Sequence, residues 1–136
     1  MAKIFVSYRH VAPDELLAEF IQHELARRGH EVFLDTQLLA GTKWPDEIES
    51  RLRDAEYFVV LLSRESIRSD MVRREVEFAY ELAKDPRRPV VILPVRVNFI
   101  GALPYDLGAY LNLIQYVLWR QGERFDKVVE DLAAAI

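Results

Sequence analysis

The fold is decided by residues 57–84, which read YFVVLLSRESIRSDMVRREVEFAYELAK. Residues 57–62 form the most apolar strand-like run of the chain, so we expect a buried strand there, at the centre of a sheet. From Ser69 onward the apolar residues follow the spacing of an amphipathic helix, with Ser69 or Asp70 as its N-cap. The stretch therefore predicts a central strand that leads directly into a helix.

One charged residue interrupts the apolar face of this helix. At about 100° per residue, Glu75 falls inside the apolar arc, where an unpaired carboxylate is costly. The arc comprises Met71, Val72, Val76, Phe78, Ala79, Leu82 and Ala83. Such a glutamate is either satisfied by a structural partner, for example an arginine or a backbone N–H, or retained for chemistry. The helix by itself leaves both interpretations open.

Length and composition narrow the class of protein. The chain has 136 residues, a formal net charge of −4 and no cysteine. We expect residues 1–136 to form one domain, which could be the amino-terminal module of a longer protein. The acidic balance argues against nucleic acid as a direct partner, and the lack of cysteine excludes disulfides and thiolate metal sites. No membrane span or signal peptide is evident, so the expectation is a cytoplasmic domain without membrane contact.

Apolar runs and helical stripes alternate along the rest of the chain. Strands are predicted at residues 3–7, 31–34, 57–62, 90–95 and 113–116. Helices are predicted to start near Pro13, Trp44, Ser69 and Phe125, and residues 98–110 are expected to form a loop with at most a short helix. The strands are continuous apolar runs, which is typical of a parallel sheet covered on both faces. We therefore expect an α/β three-layer sandwich with a five-stranded parallel sheet in the flavodoxin-like order 2-1-3-4-5.

Polar residues follow the first three predicted strands. Residues 7–10 (Ser-Tyr-Arg-His) follow strand one, Asp35 follows strand two, and Ser63 follows strand three. Because sheets of this type bind ligands beyond the carboxyl ends of their strands, these residues are expected to meet at one edge. The helix that carries Glu75 starts at the same edge. This convergence favours a functional role for Glu75.

The ordered set of these segments resembles the Toll/interleukin-1 receptor homology (TIR) family. The resemblance is carried by IFVSYR at residues 4–9, GHEVFLD at residues 29–35, and VVLLS at residues 59–63. The individual residues that extend it are Leu38, Gly41, Trp44, Ser66, Ser69 and Glu75. It covers essentially the whole chain.

The resemblance implies an activity and a substrate. Many TIR domains, including bacterial ones, cleave NAD⁺, and that branch uses a glutamate at the position of Glu75. Receptor TIR domains usually carry proline where Ala40 precedes Gly41 here, which favours the NAD-cleaving branch. One departure concerns Met71 and Val72, which stand where Trp and Cys are common, so that Met71 would replace an aromatic stacking partner. The implied role is bacterial immune or antiphage signalling.

The resemblance also implies which residues contact the substrate and other subunits. The candidate binding residues are Ser7, Tyr8, Arg9, Asp35, Gly41, Trp44 and Met71. Arg9 would either approach the diphosphate or hold its loop, Asp35 would contact ribose or cap the loop, and Trp44 would stack or anchor its helix. The loop at residues 35–44 would contact neighbouring TIR domains, because its Leu38–Leu39 pair invites a partner.

Three other functions share parts of this pattern. A scaffold TIR module that only binds other proteins is the main alternative, and a nucleoside deoxyribosyltransferase, which also uses a glutamate on a related sheet, is a distant one. A response-regulator receiver is excluded because it needs a phosphorylatable aspartate after strand three, where Ser63 stands. No metal-ligand spacing and no glycine-rich phosphate loop is present. The prediction is therefore no metal and no prosthetic group, with NAD⁺ as substrate.

Overall fold

A computed structural model describes residues 1–34 and 44–136, excluding the side chains of Trp44 and Pro45. The elements in chain order are β1 (Lys3–Ser7), α1 (Asp14–Arg27), β2 (Glu31–Leu34), α2 (Trp44–Asp54), β3 (Tyr57–Leu62), a 3₁₀ turn (Ser66–Arg68), α3 (Asp70–Ala83), β4 (Val91–Val97), α4 (Tyr105–Leu111), β5 (Val117–Trp119) and α5 (Asp126–Ala135). Alternation of strands and helices over the described residues matches the prediction.

All five strands pair in parallel in the order β2-β1-β3-β4-β5. This confirms the predicted flavodoxin-like order. β3 lies at the centre, with Val60 opposite Ser7 of β1 on one side and opposite Pro94 of β4 on the other. The chain crosses over between β1 and β3, so their carboxyl ends form the edge at which ligands of such sheets bind.

Two hydrophobic layers cover the sheet. On one face α1 and α5 pack against strand residues such as Ile4, Val6 and Val59. On the other face α2, α3 and α4 pack against Phe5, Phe58 and Val60. Because successive strand side chains point to opposite faces, the two layers draw alternate residues from the same strands. That is why the strands are apolar throughout.

The fifth strand was predicted in the wrong place. It spans Val117–Trp119 and not residues 113–116, and Leu113 is fully exposed. α4 starts after Pro104 and continues to Leu111, so the apolar residues at 113–116 belong to the turn that follows a helix. Strand pairing with Val95–Val97 of β4 begins only at Val117.

Candidate functional site

Glu75 lies inside the protein, on the face of α3 that packs against the sheet. Its side chain is 0 % exposed, and Oε1 accepts a hydrogen bond of 2.6 Å from the hydroxyl of Ser7. Ser7 is the last residue of β1 and is also completely buried. Since a buried carboxylate is costly without donors, the Ser7 hydroxyl offsets part of that cost. The structure therefore brings together two of the residues predicted for the site.

The start of α3 determines where Glu75 sits along the helix. Ser69 is the N-cap, as predicted, and its hydroxyl accepts the backbone N–H of Val72 at 3.3 Å. The Arg73 side chain donates back to the carbonyl of Ile67 at 3.2 Å, which ties the helix to the preceding 3₁₀ turn. With its first turn held in this way, α3 presents Glu75 beside the end of β1.

A second buried carboxylate lies at the same edge of the sheet and was not predicted. Asp14, the first residue of α1, is 1 % exposed, and its Oδ2 accepts a 2.5 Å hydrogen bond from the hydroxyl of Ser63. The pKa of Asp14 is raised from 3.8 to about 6, chiefly because burial disfavours the charged form, and the charge of Glu65 acts in the same direction. The Ser63 hydrogen bond and the Arg9 charge lower the pKa again, but not enough to offset burial.

The signal that would have found Asp14 is the one that found Glu75. Asp14 shares a buried stripe with Leu17, Ala18, Ile21 and Leu25 on α1. It is thus also a carboxylate in line with apolar residues at helical spacing. Asp14 does not stand out in the sequence because it lies in the first turn of its helix, where acidic residues are common.

The two serine–carboxylate pairs lie on opposite faces of the sheet. Ser7 turns toward α3, whereas Ser63, which follows β3, turns toward α1. Ser7 at the end of β1 therefore bonds to α3, the helix that follows β3. Ser63 after β3 bonds to α1, the helix that follows β1. The two βα turns at this edge are connected by both hydrogen bonds.

The remaining predicted residues in the described part of the chain occupy different environments. Tyr8 is buried in the hydrophobic layer beneath α1, with its ring 4.5 Å from that of His10. Arg9 is exposed, and Met71 is half-buried in the first turn of α3. Ser7 and Glu75 are thus in contact, Arg9 is at the surface of the same edge, and contact of Tyr8 or Met71 with a nucleotide stays a prediction.

Two other predicted residues, and the side chain of a third, lie outside the described part of the chain. Asp35 and Gly41 lie outside the described residues, as does the loop predicted to contact neighbouring subunits up to residue 43. α2 begins at Trp44, but the side chain of Trp44 is not among those described. Their roles stay predictions.

Metal-ligand groups and membrane-spanning helices are both absent from the described ranges 1–34 and 44–136. Within them, no group of three or more His, Cys, Asp or Glu residues is arranged to hold a metal ion. None of the described helices has both the length and the apolar character needed to cross a bilayer.

Comparison with known proteins agrees with this architecture. A family model described as "TIR domain" matches residues 4–133. The "NAD(+) hydrolase SARM1" of Danio rerio is 26 % identical over 121 residues, which cover 80 % of this chain and 16 % of that protein. The chain therefore spans about one sixth of the length of this relative.

Solved structures share the fold. The TIR domains of the activated Roq1 resistosome, which directly recognises the pathogen effector XopQ, superpose with a TM-score of 0.75 at 13 % identity, covering 99 % of both chains. The TIR domain of the Toll-related receptor TRR-2 of Hydra magnipapillata gives a TM-score of 0.67 at 16 % identity, covering 97 % of this chain and 91 % of that one. Together with the family match over nearly the whole sequence, this establishes that the chain belongs to the TIR domain family.

Proposed function

We propose that this domain is an NAD⁺ glycohydrolase that cleaves the bond between nicotinamide and ribose. The observation that carries the proposal is the buried Glu75, held by Ser7 at the carboxyl edge of the sheet. The likeness to a protein named NAD(+) hydrolase supports the choice of substrate. The products would be nicotinamide and ADP-ribose, or a cyclic form of ADP-ribose.

The reaction needs little from the protein beyond one well-placed negative charge. When the C1′–N1 bond breaks, its electron pair goes to the nicotinamide nitrogen and positive charge develops on the ribose, as in glycoside cleavage. Nicotinamide leaves as a neutral ring, so no general acid is required. Water then adds to C1′ and releases a proton, or the adenine ring adds to C1′ and closes the cyclic product. Glu75 would stabilise the cationic ribose, most effectively in a site of low polarity.

Ser7 would keep the Glu75 carboxylate in a productive orientation. Its hydroxyl holds Oε1 at 2.6 Å, which restricts rotation of the side chain. Carboxylates that act on a developing charge are most effective when they are oriented before the reaction. Ser7 is therefore proposed as a positioning residue and Glu75 as the catalytic one.

The other candidate residues would bind the nucleotide around this centre. Arg9 is exposed at the same edge, where its charge would attract the diphosphate. Met71, one turn before Glu75 on α3, would pack against a base. Tyr8, Asp35, Gly41 and Trp44 complete the proposed binding set.

Activation by self-association fits the burial of Glu75. Because its side chain has no exposed surface, substrate can reach it only after neighbouring groups move. We propose that contact with other TIR domains through residues 35–44 favours this opening. The proposed setting is cytoplasmic immune signalling, of the antiphage kind if the chain is bacterial.

The test is nicotinamide release by concentrated protein incubated with NAD⁺. Glu75→Gln keeps the size of the side chain and removes its charge, so release is expected to fall by at least about 100-fold. Glu77→Gln is the matched control, because Glu77 is on the same helix and exposed. Release that persists in Glu75→Gln, or falls equally in Glu77→Gln, would contradict the catalytic role.

A non-catalytic scaffold is the second candidate, and one observation favours it. The complete burial of Glu75 against Ser7 is also what a purely structural carboxylate would show. A scaffold would release no nicotinamide at any protein concentration, including under conditions where light scattering shows assembly. It would still assemble with the Glu75→Gln substitution.

A further inference from the structure

The Asp14–Ser63 pair is built into the same edge of the sheet as Glu75 but has no part in the reaction described above. Both residues are buried, and the 2.5 Å hydrogen bond joins the first residue of α1 to the residue that follows β3. These positions are 49 residues apart in sequence. The hydrogen bond is therefore a tertiary contact between the β1–α1 connection and the turn after β3.

The hydroxyl of Ser63 both donates and accepts a hydrogen bond. It donates to Asp14 at 2.5 Å and accepts the backbone N–H of Ser66 at 3.1 Å. The hydroxyl of Ser66 in turn accepts the N–H of Ser63 at 2.8 Å and donates to the carbonyl of Leu61 at 2.7 Å. This closed set of bonds makes the turn after β3 a firm anchor, to which Asp14 is attached.

The segment between β1 and α1, residues 8–13, is held at both ends. Ser7 precedes it and bonds to Glu75, whereas Asp14 follows it and bonds to Ser63. Arg9 lies in this segment and is exposed. The backbone that carries Arg9 is thus tied at both ends to the edge of the sheet where Glu75 lies.

We propose that Asp14 and Ser63 are positioning residues for the nucleotide site: their hydrogen bond holds residues 8–13 so that Arg9 stays at a fixed place beside Glu75. This inference rests on the proposed NAD⁺ cleavage. Neither residue touches substrate in this scheme. Loss of the bond would loosen the segment, misplace Arg9 and weaken substrate binding more than it slows the chemical step.

The charges around Asp14 are consistent with such a role. Arg9 on the segment itself and Glu65 on the turn after β3 both act on the Asp14 carboxyl, with opposite signs. Nearby, Nδ1 of His10 on the segment lies 3.8 Å from Oε2 of Glu15 on α1. The ionised Asp14 attracts the exposed guanidinium of Arg9 at neutral pH, which restricts where this side chain lies.

The test uses variants that separate the hydrogen bond from general damage to the turn. Ser63→Ala and Asp14→Ala remove the bond, Ser63→Thr keeps the hydroxyl, and Asp14→Asn keeps an acceptor. Gln22→Ala is the matched control, because Gln22 lies on the same helix as Asp14 and donates to the carbonyl of Val32 at 3.3 Å, outside the Asp14–Ser63 bond. For each variant, KM and kcat for nicotinamide release and hydrogen exchange of the backbone amides of residues 8–12 are measured.

The expected result is a split between binding and chemistry. Ser63→Ala and Asp14→Ala should raise KM about tenfold with kcat within about threefold, as expected for the loss of one buried hydrogen bond. Exchange at residues 8–12 should accelerate in the same two variants. Ser63→Thr should keep both readouts close to those of the unsubstituted protein, and Asp14→Asn, which keeps an acceptor but loses the charge, should give intermediate values. An equal rise of KM in Gln22→Ala, or an unchanged KM with lowered stability in Ser63→Ala, would overturn the proposal.

The two proposals fail in distinguishable ways. If the unsubstituted protein releases no nicotinamide, the proposed function fails. Hydrogen exchange then decides the positioning claim by itself: unchanged exchange at residues 8–12 in Ser63→Ala overturns it. Faster exchange there, restored by Ser63→Thr, supports it.

Discussion

Two buried carboxylates at one edge of the sheet, Glu75 and Asp14, differ in how they are placed. Glu75 lies beyond the first turn of α3, on the face shared by α2 and α4, and is held by a serine inside the sheet at 2.6 Å. Asp14 is the first residue of α1, on the opposite face, and is held at 2.5 Å by a serine in a turn. One is proposed to act on substrate and the other to hold a loop.

The comparison shows that burial of a carboxylate marks a residue as a candidate for a specific role but does not reveal which role. Both carboxylates interrupt an apolar stripe, and both accept from a serine hydroxyl. What differs is the tertiary surrounding: Glu75 contacts the end of β1 inside the sheet, whereas Asp14 joins the start of α1 to the turn after β3. The experiments that follow break or sharpen this distinction.

The largest effect is expected from a double-mutant cycle at the Glu75 site. Glu75→Gln should lower nicotinamide release by about 10²–10⁴-fold, the range for losing an electrostatic group that acts in the transition state. Ser7→Ala should cost about 10-fold by itself but almost nothing once Glu75 is Gln, because Ser7 acts through Glu75. Rates are measured for all four proteins. Additive losses would contradict the positioning role of Ser7.

The second largest effect is expected in the pH dependence of stability, through Asp14. The pKa of Asp14 is raised from 3.8 to about 6, so the folded protein binds a proton more readily than the unfolded one. The contribution of Asp14 to the free energy of unfolding is fully present below pH 4. It is lost as pH rises through about 6, which lowers the free energy of unfolding by about 3 kcal/mol. Asp14→Asn should lack this loss, so its advantage over the unsubstituted protein grows between pH 4 and 6.5. Urea unfolding at several pH values measures this, and parallel curves for the two proteins would contradict it.

A smaller effect should follow from removing the hydroxyl that Asp14 uses. Ser63→Ala should lower the free energy of unfolding by about 1–3 kcal/mol at pH 8, where Asp14 is ionised and loses a charge-assisted bond. At pH 5 the cost should be smaller, because the neutral carboxyl bonds more weakly. Equal costs at both pH values would show that the bond is insensitive to the charge of Asp14. Denaturant unfolding provides the measurement.

The smallest effect concerns the helix caps. Ser69 caps α3 through its hydroxyl, whereas Pro13 at the start of α1 provides no side-chain cap. Ser69→Ala should lower the free energy of unfolding by about 1 kcal/mol, with little effect on the Asp14 site. Thermal unfolding tests this. A change in the pH dependence assigned to Asp14 would show that the two sites are coupled through α3.

Sequence patterns anticipated most of the architecture because long buried strands carry a strong signal. β3, at the sheet centre, was predicted with its observed bounds. β5 was misplaced because a three-residue edge strand carries almost no pattern of its own. Leu113 is exposed, so the apolar residues at 113–116 did not indicate a buried strand.

The candidate site was anticipated only in part. Glu75 was found because a charge in the middle of an apolar arc is unusual, whereas Asp14 was missed because its helix start made an acid look ordinary. No local pattern links Ser63 to Asp14, since the contact depends on both βα turns meeting at the sheet edge.

The amino-acid sequence by itself therefore determined the strand order and the unusual status of Glu75, because both follow from local periodicity and the rules of parallel sheets. Only the tertiary structure decided which groups satisfy the buried carboxylates. The partner of Glu75 is 68 residues away in sequence and reaches it through strand pairing that no single segment encodes. Hydrogen bonds of this kind depend on distances of a few tenths of an ångström, which are set by the packing of the whole domain.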